Sequence, residues 1–514
     1  MSYQDEELDA IIPNGYAVQY IIAQKMVQKS NEDGYLIGSR GSVGSSFAAN
    51  MAGITEINPL PAHYLCPECH YTDFDSPEVK AYVGRCGLDM PDRVCPMCGT
   101  PMQKMGLDIP YEIFLGLRVN KEPDIDLNFA GEYQEQAFRN AEEILGEGHT
   151  FHAGTIATLS DRTAYGYVKK YFEDKGIHKR SCEIERIASG CAGGRRTTGR
   201  HPGGIIVLPH GEDINSFTPV QHPANDMNSN IIITHFDYHS IDLNLLKLDI
   251  LGHDDPTMIR MMEDITDTNA RKISLYDPRV MGLFKSTDAL ETKPAFFSDL
   301  IRISGLSHGT DVWRDNAETL IREGTADITS VIGTRDDIMI YLIGKGLERE
   351  QAFCIMENVR KGKGLKPKWE EEMCRHDVPE WYIRSCKKIK YLFQKAHAAA
   401  YVMMAYRIAW YKVYYPLAFY AAYFSIRADQ DIYRMIRFSA EHIKERINDY
   451  EAEYEAFGGS IMKRRLGDLY VAREMYARGF PFAEYDPELA AEDRFAIIDG
   501  RLMPPKVFAE YAET

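Results

Sequence analysis

Apolar residues recur at helical spacing over much of the chain, and shorter apolar runs interrupt this pattern in its first half. The helical spacing is clear near the start, where Leu8, Ile11 and Ile22 are among the apolar positions. Short apolar runs bounded by polar residues predict strands instead. The predicted helical segments are 6–30, 132–146, 161–190 and most of the chain from 255 to 476, and the predicted strands are GIIVL (204–208), IIITHF (231–236) and LLKLDIL (245–251). The pattern therefore predicts an α+β protein with many helices.

The most apolar long stretch covers residues 398–424. Arg407, Lys412 and Pro416 interrupt it, so we interpret it as buried helices and not as a membrane span. The first residues, MSYQDEELDA, are acidic and lack the pattern of a secretory signal. We therefore expect a protein with no membrane partner.

Residues 59–105 differ in composition from the rest of the chain, with prolines, glycines and paired cysteines in place of periodic apolar positions. Two CxxC pairs, Cys66/Cys69 and Cys95/Cys98, are separated by 25 residues. Four thiolates at such spacing suit tetrahedral Zn²⁺ with no open position, so a structural zinc site is predicted. Cys86 or His70 could replace a ligand, but four cysteines need neither.

The net charge of −17 argues weakly against a nucleic-acid partner. Basic residues nevertheless cluster in RRTTGRHPGG (195–204) and RKGKGLKPK (360–368). Arginines or lysines beside glycines suit contact with a phosphate backbone. The alternatives are a turn that positions the GIIVL strand in the first case and a solvated loop in the second.

The stretch YLIGSRGSVGSSF (35–47) predicts a strand that turns into a helix, with glycines that let a ligand approach the backbone. A P-loop is excluded because the Gly-Lys-Ser/Thr ending is missing. A dinucleotide-binding fold is excluded because no acidic residue closes a βαβ unit at the expected distance.

The sequence PDIDLNF (123–129) places two carboxylates on one face of a strand, because residues i and i+2 point the same way. Asp124 and Asp126 would repel each other unless a cation joins them, and Mg²⁺ prefers such hard oxygen ligands. The alternative is a polar face on an exposed strand.

Asp249, within LLKLDIL, is a lone carboxylate in an apolar strand. Metal coordination or a capping role in the next turn would stabilise it there.

A glycine–serine turn, then two aspartates on a strand, then one aspartate on a later strand is the order found in nucleotidyltransferases of the DNA polymerase beta type. In this arrangement helix-start amides and serine hydroxyls receive a triphosphate. Three carboxylates hold two metal ions that serve the attacking oxygen and the leaving pyrophosphate.

Long segments of the chain also resemble one family closely. The segments are GSRGSVGSSF, NPLPAHYLCPEC, PDIDLNFAGEYQ, HAGTIATLSDRTAYGYVKKY, RRTTGRHPGGIIVLP, KLDILGHDDPT, GLSHGTDVW, RDDIMIYL and KAHAAAYVMMAYRIAWYK. They are similar to the PolC-type replicative DNA polymerase III alpha subunits of low-GC Gram-positive bacteria. The resemblance implies a DNA-directed DNA polymerase with a polymerase-beta-like palm, a mostly helical thumb and fingers, and a small zinc module.

The resemblance also implies roles for individual residues. Asp124, Asp126 and Asp249 match the catalytic aspartates that bind two Mg²⁺ ions, and Cys66, Cys69, Cys95 and Cys98 match the ligands of one structural Zn²⁺. The predicted triphosphate contacts are Gly38, Ser39, Arg40, Gly41, Ser42, Gly44, Ser45, Lys247 and Arg335. The predicted contacts to DNA or nucleotide are Arg196, His201, Lys361, Lys363, Lys395, His397 and Tyr401.

The domain organisation is predicted on the same basis. The palm comprises 1–59, 106–150 and 199–254, the zinc-binding insertion 60–105, the helical thumb 151–198, the fingers 255–430 and a C-terminal helical extension 431–514. Further domains of the family, including a helix-hairpin-helix region and a clamp-binding peptide, are expected outside this sequence. The expected partners are primer–template DNA and dNTP, with the sliding clamp and replisome proteins reached through those other domains.

The resulting hypothesis is a cytoplasmic bacterial enzyme that adds dNTPs to a primer 3′-OH by two-metal-ion phosphoryl transfer. Two alternatives stay open at this point. One is a catalytically inactive fragment that retains DNA or dNTP binding, and the other is a nucleotidyltransferase that needs no template.

Overall fold

Helices and short strands alternate along the chain, which confirms the α+β prediction. The computed structural model describes residues 3–116, 123–241, 244–287, 292–428, 432–436 and 439–508. Within these ranges the strands are β1 (Gly38–Arg40), β2 (His63–Leu65), β3 (Thr72–Asp73), β4 (Gln103–Met105), β5 (Asp126–Ala130), β6 (Thr150–Thr158), β7 (Arg195–Val207), β8 (Val220–Gln221), β9 (Ile233–Asp237), β10 (Leu246–His253), β11 (Ala496–Ile498) and β12 (Arg501–Met503).

The helices begin close to the predicted positions and are more numerous in the second half of the chain. They are α1 (Tyr3–Ile11), α2 (Ala17–Glu32), α3 (Phe47–Met51), α4 (Pro77–Lys80), α5 (Glu112–Leu115), α6 (Gln134–Leu145), α7 (Asp161–Asp174), α8 (Ser181–Cys191), α9 (Asp254–Thr266), α10 (Pro278–Thr287), α11 (Phe297–His308), α12 (Glu318–Arg322), α13 (Arg335–Gly344), α14 (Arg349–Arg360), α15 (Pro367–Arg375), α16 (Glu380–Lys388), α17 (Lys395–Tyr414), α18 (Pro416–Ala422), α19 (Tyr433–Ile436), α20 (Ala440–Phe457) and α21 (Ser460–Ala477).

The chain packs as two units. The first comprises Met1–Glu132 and His253–Thr514, and the second comprises Tyr133–Gly252. The seven predicted domain segments are finer than this division and stay a prediction. The predicted boundary at 430/431 lies outside the described residues.

The second unit is built on a mixed sheet with the strand order β10-β7-β6-β9-β8. Strands β6 and β9 run parallel, and the other neighbours are antiparallel. A side chain at Gly154 could not be accommodated, since its Cβ would lie 1.9 Å from the carbonyl oxygen of Thr234 on β9. Helices α7 and α8 share a small apolar core of their own.

The prediction that residues 151–198 are mostly helical is wrong at both ends, because β6 and β7 form a long antiparallel pair there. RRTTGRHPGG belongs to β7 and is not a loop. The register changes between His152 and Gly154, whose partners on β7 are Ile205 and Arg200, so residues 201–204 bulge from the strand. This bulge accounts for the glycines and proline that suggested a turn.

In the first unit, β1 pairs antiparallel with β5, and a separate three-stranded sheet has the order β3-β2-β4. The central helix is α17, which is buried along nearly its whole length. Arg407 on this helix is only 3% exposed and makes two hydrogen bonds, of 2.7 and 2.9 Å, to the carboxylate of Glu56. Its Nε donates to the carbonyl of Ala270 at 3.1 Å.

The apolar stretch 398–424 lies in α17, in α18 and in the helical turn that follows them, which confirms the prediction of helices. Pro416 is at the first turn of α18. No helix in the described ranges has the length and apolarity that crossing a bilayer requires.

The end of the described chain contains a hairpin, β11–β12, that the periodicity did not predict. Its two-residue turn is Asp499–Gly500, and both residues have positive φ, of 49° and 74°. An Asp–Gly pair between two short segments that contain apolar residues is a hairpin signal in itself.

Candidate active site

Two carboxylates stand at the start of β5, next to the glycine–serine turn. A carboxylate oxygen of Asp124 and one of Asp126 lie within 4.8 Å of each other. Asp126 is paired in register with Arg40 on β1. Gly41 follows with φ of 67°, and a Cβ there would lie 3.0 Å from Oδ2 of Asp126. The turn therefore needs glycine both for its backbone conformation and for the close approach of Asp126.

The rest of the turn is tightly packed. Ser39 accepts a hydrogen bond from the hydroxyl of Thr55 at 2.9 Å. Gly44 lies in a short 3₁₀ helix, and a Cβ there would meet Ile57 at 3.0 Å and Ala396 at 3.1 Å. Ser42 and Ser45 are buried in this structure. The predicted strand–turn–helix is thus confirmed as a backbone arrangement, while its phosphate contacts stay a prediction.

The helix after the turn, α3, has only five residues, and its amino end already contacts a carboxylate. Glu7 is 1% exposed, accepts from the hydroxyl of Ser46, and accepts from the backbone N–H of Ala48 at 3.0 Å. Burial raises the pKa of Glu7, and the hydrogen bond from Ser46 opposes this effect. A triphosphate would therefore meet the amides of the turn itself, because Glu7 occupies the start of α3.

Sequence reasoning did not identify Glu7. Its partner Ser46 is 39 residues away, and the local pattern of α1 gives no reason to single out one of its acidic residues.

His397 connects helix α17 to the turn. The backbone N–H of Gly41 donates to Nδ1 of His397 at 3.2 Å. The imidazole stacks on Phe393 with ring centroids 4.9 Å apart, and Tyr401 lies 4.7 Å away on the same helix. Burial lowers the pKa of His397 to about 4, assisted by the charges of Arg40 and His308. His397 is therefore neutral near pH 7 and able to accept this hydrogen bond.

This lowered pKa predicts a pH dependence of stability. The unfolded chain would bind a proton at His397 near its ordinary pKa of 6.5, whereas the folded chain would not until about pH 4. The unfolding free energy should thus be at its full value above pH 6.5 and fall as the pH drops toward 4. In His397→Asn, whose side-chain oxygen can still accept from Gly41, urea unfolding at pH 7 and pH 5 should differ less than in the wild type.

The matched control for this measurement is His178→Asn, since His178 is exposed. It should keep the wild-type dependence on pH. Equal dependence in the His397→Asn and wild-type chains would contradict the assignment.

Asp249 lies on β10 of the second unit, with its side chain 15% exposed. The ammonium of Lys247 donates to its Oδ2 at 2.9 Å and lies 5.1 Å from the centre of the Tyr238 ring. Oδ1 of Asp249 is buried and accepts no hydrogen bond within the described part of the chain. The alternative role in capping the next helix is not observed, because His253 caps α9.

The predicted fingers residues are less accessible than their roles would require. Arg335 is 3% exposed and donates to the carbonyl of Ile113 at 3.0 Å. Lys395 is 8% exposed, and its ammonium lies 3.4 Å from the carbonyl of Asp108. In this structure both cations stabilise packing around α13 and α17.

The remaining predicted contacts are spread over both units. Lys361 forms an ion pair with Glu357 at 3.1 Å, and Lys363 follows it in the loop between α14 and α15. Tyr401 accepts from the amide of Asn128 at 3.4 Å.

In the second unit, Arg196 is exposed on β7. His201 accepts from the N–H groups of Gly203 and Gly204, at 3.2 and 2.7 Å. His201 thus stabilises the bulge in β7. This agrees with the alternative that RRTTGRHPGG positions the GIIVL strand.

Four thiols converge in the first unit, as the CxxC spacing predicts. Ligand atoms of Cys66, Cys69, Cys95 and Cys98 all lie within 4.8 Å of one another. Sγ of Cys66 is 3.4 Å from Sγ of Cys98, and Sγ of Cys69 is 3.5 Å from Sγ of Cys95. Two thiolates at about 2.3 Å from a tetrahedral Zn²⁺ would be roughly 3.8 Å apart, so the donor set fits this ion. Cys86 and His70 do not belong to the cluster.

Comparison with known proteins identifies similar chains. Two family models match: the bacterial DNA polymerase III alpha NTPase domain over residues 2–179 and 168–252, and the bacterial DNA polymerase III alpha subunit finger domain over residues 255–378. Proteins called DNA polymerase III PolC-type are 53% identical in Caldanaerobacter subterraneus subsp. tengcongensis, 51% in Halalkalibacterium halodurans and 50% in Bacillus subtilis, each over 98% of this chain. The chain spans 38%, 37% and 36% of these relatives.

Proposed function

The chain belongs to the PolC-type DNA polymerase III alpha family, and we propose that it performs template-directed addition of dNTPs to a primer 3′-OH with release of pyrophosphate. The observation that carries this proposal is the pair Asp124 and Asp126 beside the close-packed turn at Gly41. The pair provides negatively charged oxygens for metal ions, and the turn provides backbone amides for a triphosphate.

Asp124, Asp126 and Asp249 are proposed to hold two Mg²⁺ ions. The donors are all carboxylate oxygens, and Oδ1 of Asp249 is a buried acceptor that makes no hydrogen bond in the described residues. Burying such an oxygen without a partner costs free energy unless a cation or a proton binds it. When bound, the ions would activate the primer oxygen and stabilise charge on the leaving pyrophosphate.

The protein's own groups have separate roles in this proposal. Lys247 neutralises Asp249 through Oδ2 and leaves Oδ1 available. Gly41 lies beside Asp126 in this turn, and in this structure its N–H donates to His397. We propose that a phosphate oxygen of the incoming dNTP takes the place of His397 at this amide, with Gly38, Ser39, Arg40, Ser42, Gly44 and Ser45 forming the rest of the turn.

Contacts to primer–template DNA are proposed for Arg196, Lys361 and Lys363, which are cations on β7 and on a glycine-containing loop. The segments 151–198 and 255–430 are proposed as thumb and fingers, and the sliding clamp is a proposed partner of the longer protein. The four thiols are proposed to bind one structural Zn²⁺, which the distances between their sulfur atoms support.

Primer extension tests the proposed function. The purified chain, with Mg²⁺ and all four dNTPs, should lengthen a labelled primer annealed to a template, and the order of incorporation should follow the template. Extension of an unannealed primer at the same rate would indicate an untemplated nucleotidyltransferase instead. Absence of extension together with retained dNTP binding would indicate a fragment without catalytic activity.

A further inference from the structure

The segment between the two CxxC pairs connects the thiol cluster to the helices that carry the candidate active site. Its central residues, Cys86 to Met90, lie between Cys69 and Cys95 in the sequence. All of them except the partly buried Leu88 are buried, although most of the surrounding module is exposed. A module that served only to bind zinc would not need to bury this segment against distant helices.

Asp89 binds the amino end of α11. Its Oδ1 accepts from the backbone N–H of Phe297 at 2.7 Å and from that of Ser298 at 3.4 Å. Asp89 is 5% exposed, and the partner residues are 208 and 209 positions away. Helix α11 has 12 residues, so a carboxylate at its amino end satisfies free N–H groups and interacts favourably with the helix dipole.

The residues around Asp89 belong to two different cores. Cys86 is fully buried and packs in the cluster that includes Phe297 and Tyr406. Met90 is 1% exposed and packs with Cys66 and Cys95 in the core of the thiol module. The two clusters are therefore joined by a few residues of continuous backbone.

Two further contacts fix this connection. Gly87 donates to the carbonyl of Gly106 at 2.7 Å, and a Cβ at Gly87 would lie 1.8 Å from the carbonyl oxygen of Met105. The guanidinium of Arg85 lies 4.0 Å from the centre of the Phe296 ring, directly before α11. The segment thus has little room to shift relative to α11.

Helix α11 in turn packs against α17, where the rings of Phe297 and Tyr406 are 5.8 Å apart. His397 on α17 accepts from Gly41 in the turn. A continuous series of contacts therefore leads from the thiol cluster through Asp89, α11 and α17 to the amide proposed to receive a phosphate.

We propose that Asp89 is a positioning residue through which the metal-bound thiol module holds α11 and α17 in place for dNTP binding. The zinc site then has a role in substrate binding besides the folding of its own module. The expected change in KM for dNTP rests on the proposed function. The expected change in hydrogen exchange of α11 and α17 can be measured whether or not the chain is active.

The experiment compares Asp89→Ala with Asp92→Ala, a control in the same module. The Asp92 side chain is 95% exposed and pairs only with Lys104 among the ion pairs of the described residues. Both variants should retain one zinc per chain. Asp89→Ala should raise the KM for dNTP about tenfold, in the range typical of coupling between sites, while kcat changes less. Asp89→Asn, whose amide oxygen can still accept from Phe297, should restore most of the wild-type KM.

Hydrogen–deuterium exchange provides the second measurement. In Asp89→Ala, with zinc retained, exchange should increase over residues 297–308 and 395–414 but not over 440–477. Equal KM and equal exchange in Asp89→Ala and Asp92→Ala would overturn the proposal.

If Asp89→Ala does not fold, the wild-type chain treated with a zinc chelator decides the question. Faster exchange over 297–308 as well as 60–105 supports the connection, and faster exchange confined to 60–105 refutes it. A wild-type chain that extends no primer would contradict the proposed function. It would not contradict the positioning role of Asp89, because hydrogen exchange measures that role without any activity.

Discussion

Asp126→Asn should reduce primer extension by a factor of about a thousand or more while leaving the fold intact. A metal ion contributes several kcal/mol to stabilising charge in such a transition state, and each 1.4 kcal/mol or so corresponds to a tenfold change in rate. Asparagine keeps the shape of the side chain but loses the charge that would hold the ion. The check is single-nucleotide incorporation under saturating dNTP and DNA.

Asp126 is a better position for this test than Asp249. Replacing Asp249 would leave the ammonium of Lys247 without its partner at 2.9 Å, so lost activity could reflect local destabilisation. At Asp126 the substitution lowers the repulsion from Asp124 and keeps one side-chain oxygen as an acceptor, so the melting temperature should change little. The exposed Asp92→Asn is the matched control and should keep full activity. Undiminished incorporation by Asp126→Asn would refute the catalytic assignment.

Removal of one thiol ligand should have the largest effect on stability. Cys66 is fully buried in the core of its module, next to three other thiols. Structural zinc binding is worth about 10–16 kcal/mol in small zinc modules, far more than a core of this size could replace. Cys66→Ser should therefore lose zinc, and residues 60–105 should become sensitive to proteolysis.

Metal content per chain, with limited proteolysis read by mass spectrometry, measures both effects. Cys374→Ser is the control, because Cys374 is exposed and lies outside the cluster. It should retain zinc and the wild-type cleavage pattern. A Cys66→Ser chain with one zinc and unchanged cleavage would show that the cluster is not the metal site.

Local patterns predicted the parts of the molecule that depend on nearby residues. The CxxC spacing identified the four thiols that the fold brings together, since each pair lies within a single turn. The i, i+2 spacing of Asp124 and Asp126 identified a close carboxylate pair for the same reason. The long helices after residue 255 follow from apolar periodicity sustained over several turns.

Contacts between distant segments could not be predicted in this way. The hydrogen bond from Gly41 to His397 joins residues 356 positions apart. The carboxylate of Glu7 at the start of α3 depends on how α1 packs, which a single sequence does not specify.

Strand β6 and the first part of β7 were missed for a related reason, whereas GIIVL correctly predicted the end of β7. Glycine and proline in RRTTGRHPGG are unfavourable in an ordinary strand, and only the neighbouring strands show that they form a bulge. Thr150–Thr158 contains several β-branched residues, and this composition favours a strand.

The contact between Arg407 and Glu56 has an evolutionary consequence. The guanidinium is buried and makes two hydrogen bonds to a carboxylate 351 positions away, so losing Glu56 alone would leave a costly buried charge without its partner. Relatives that replace Glu56 should therefore also replace Arg407, and the two positions should covary across the family although they are far apart in the sequence. Lineages can then change this part of the core only through paired substitutions, which makes it slower to diverge than the exposed surface around it.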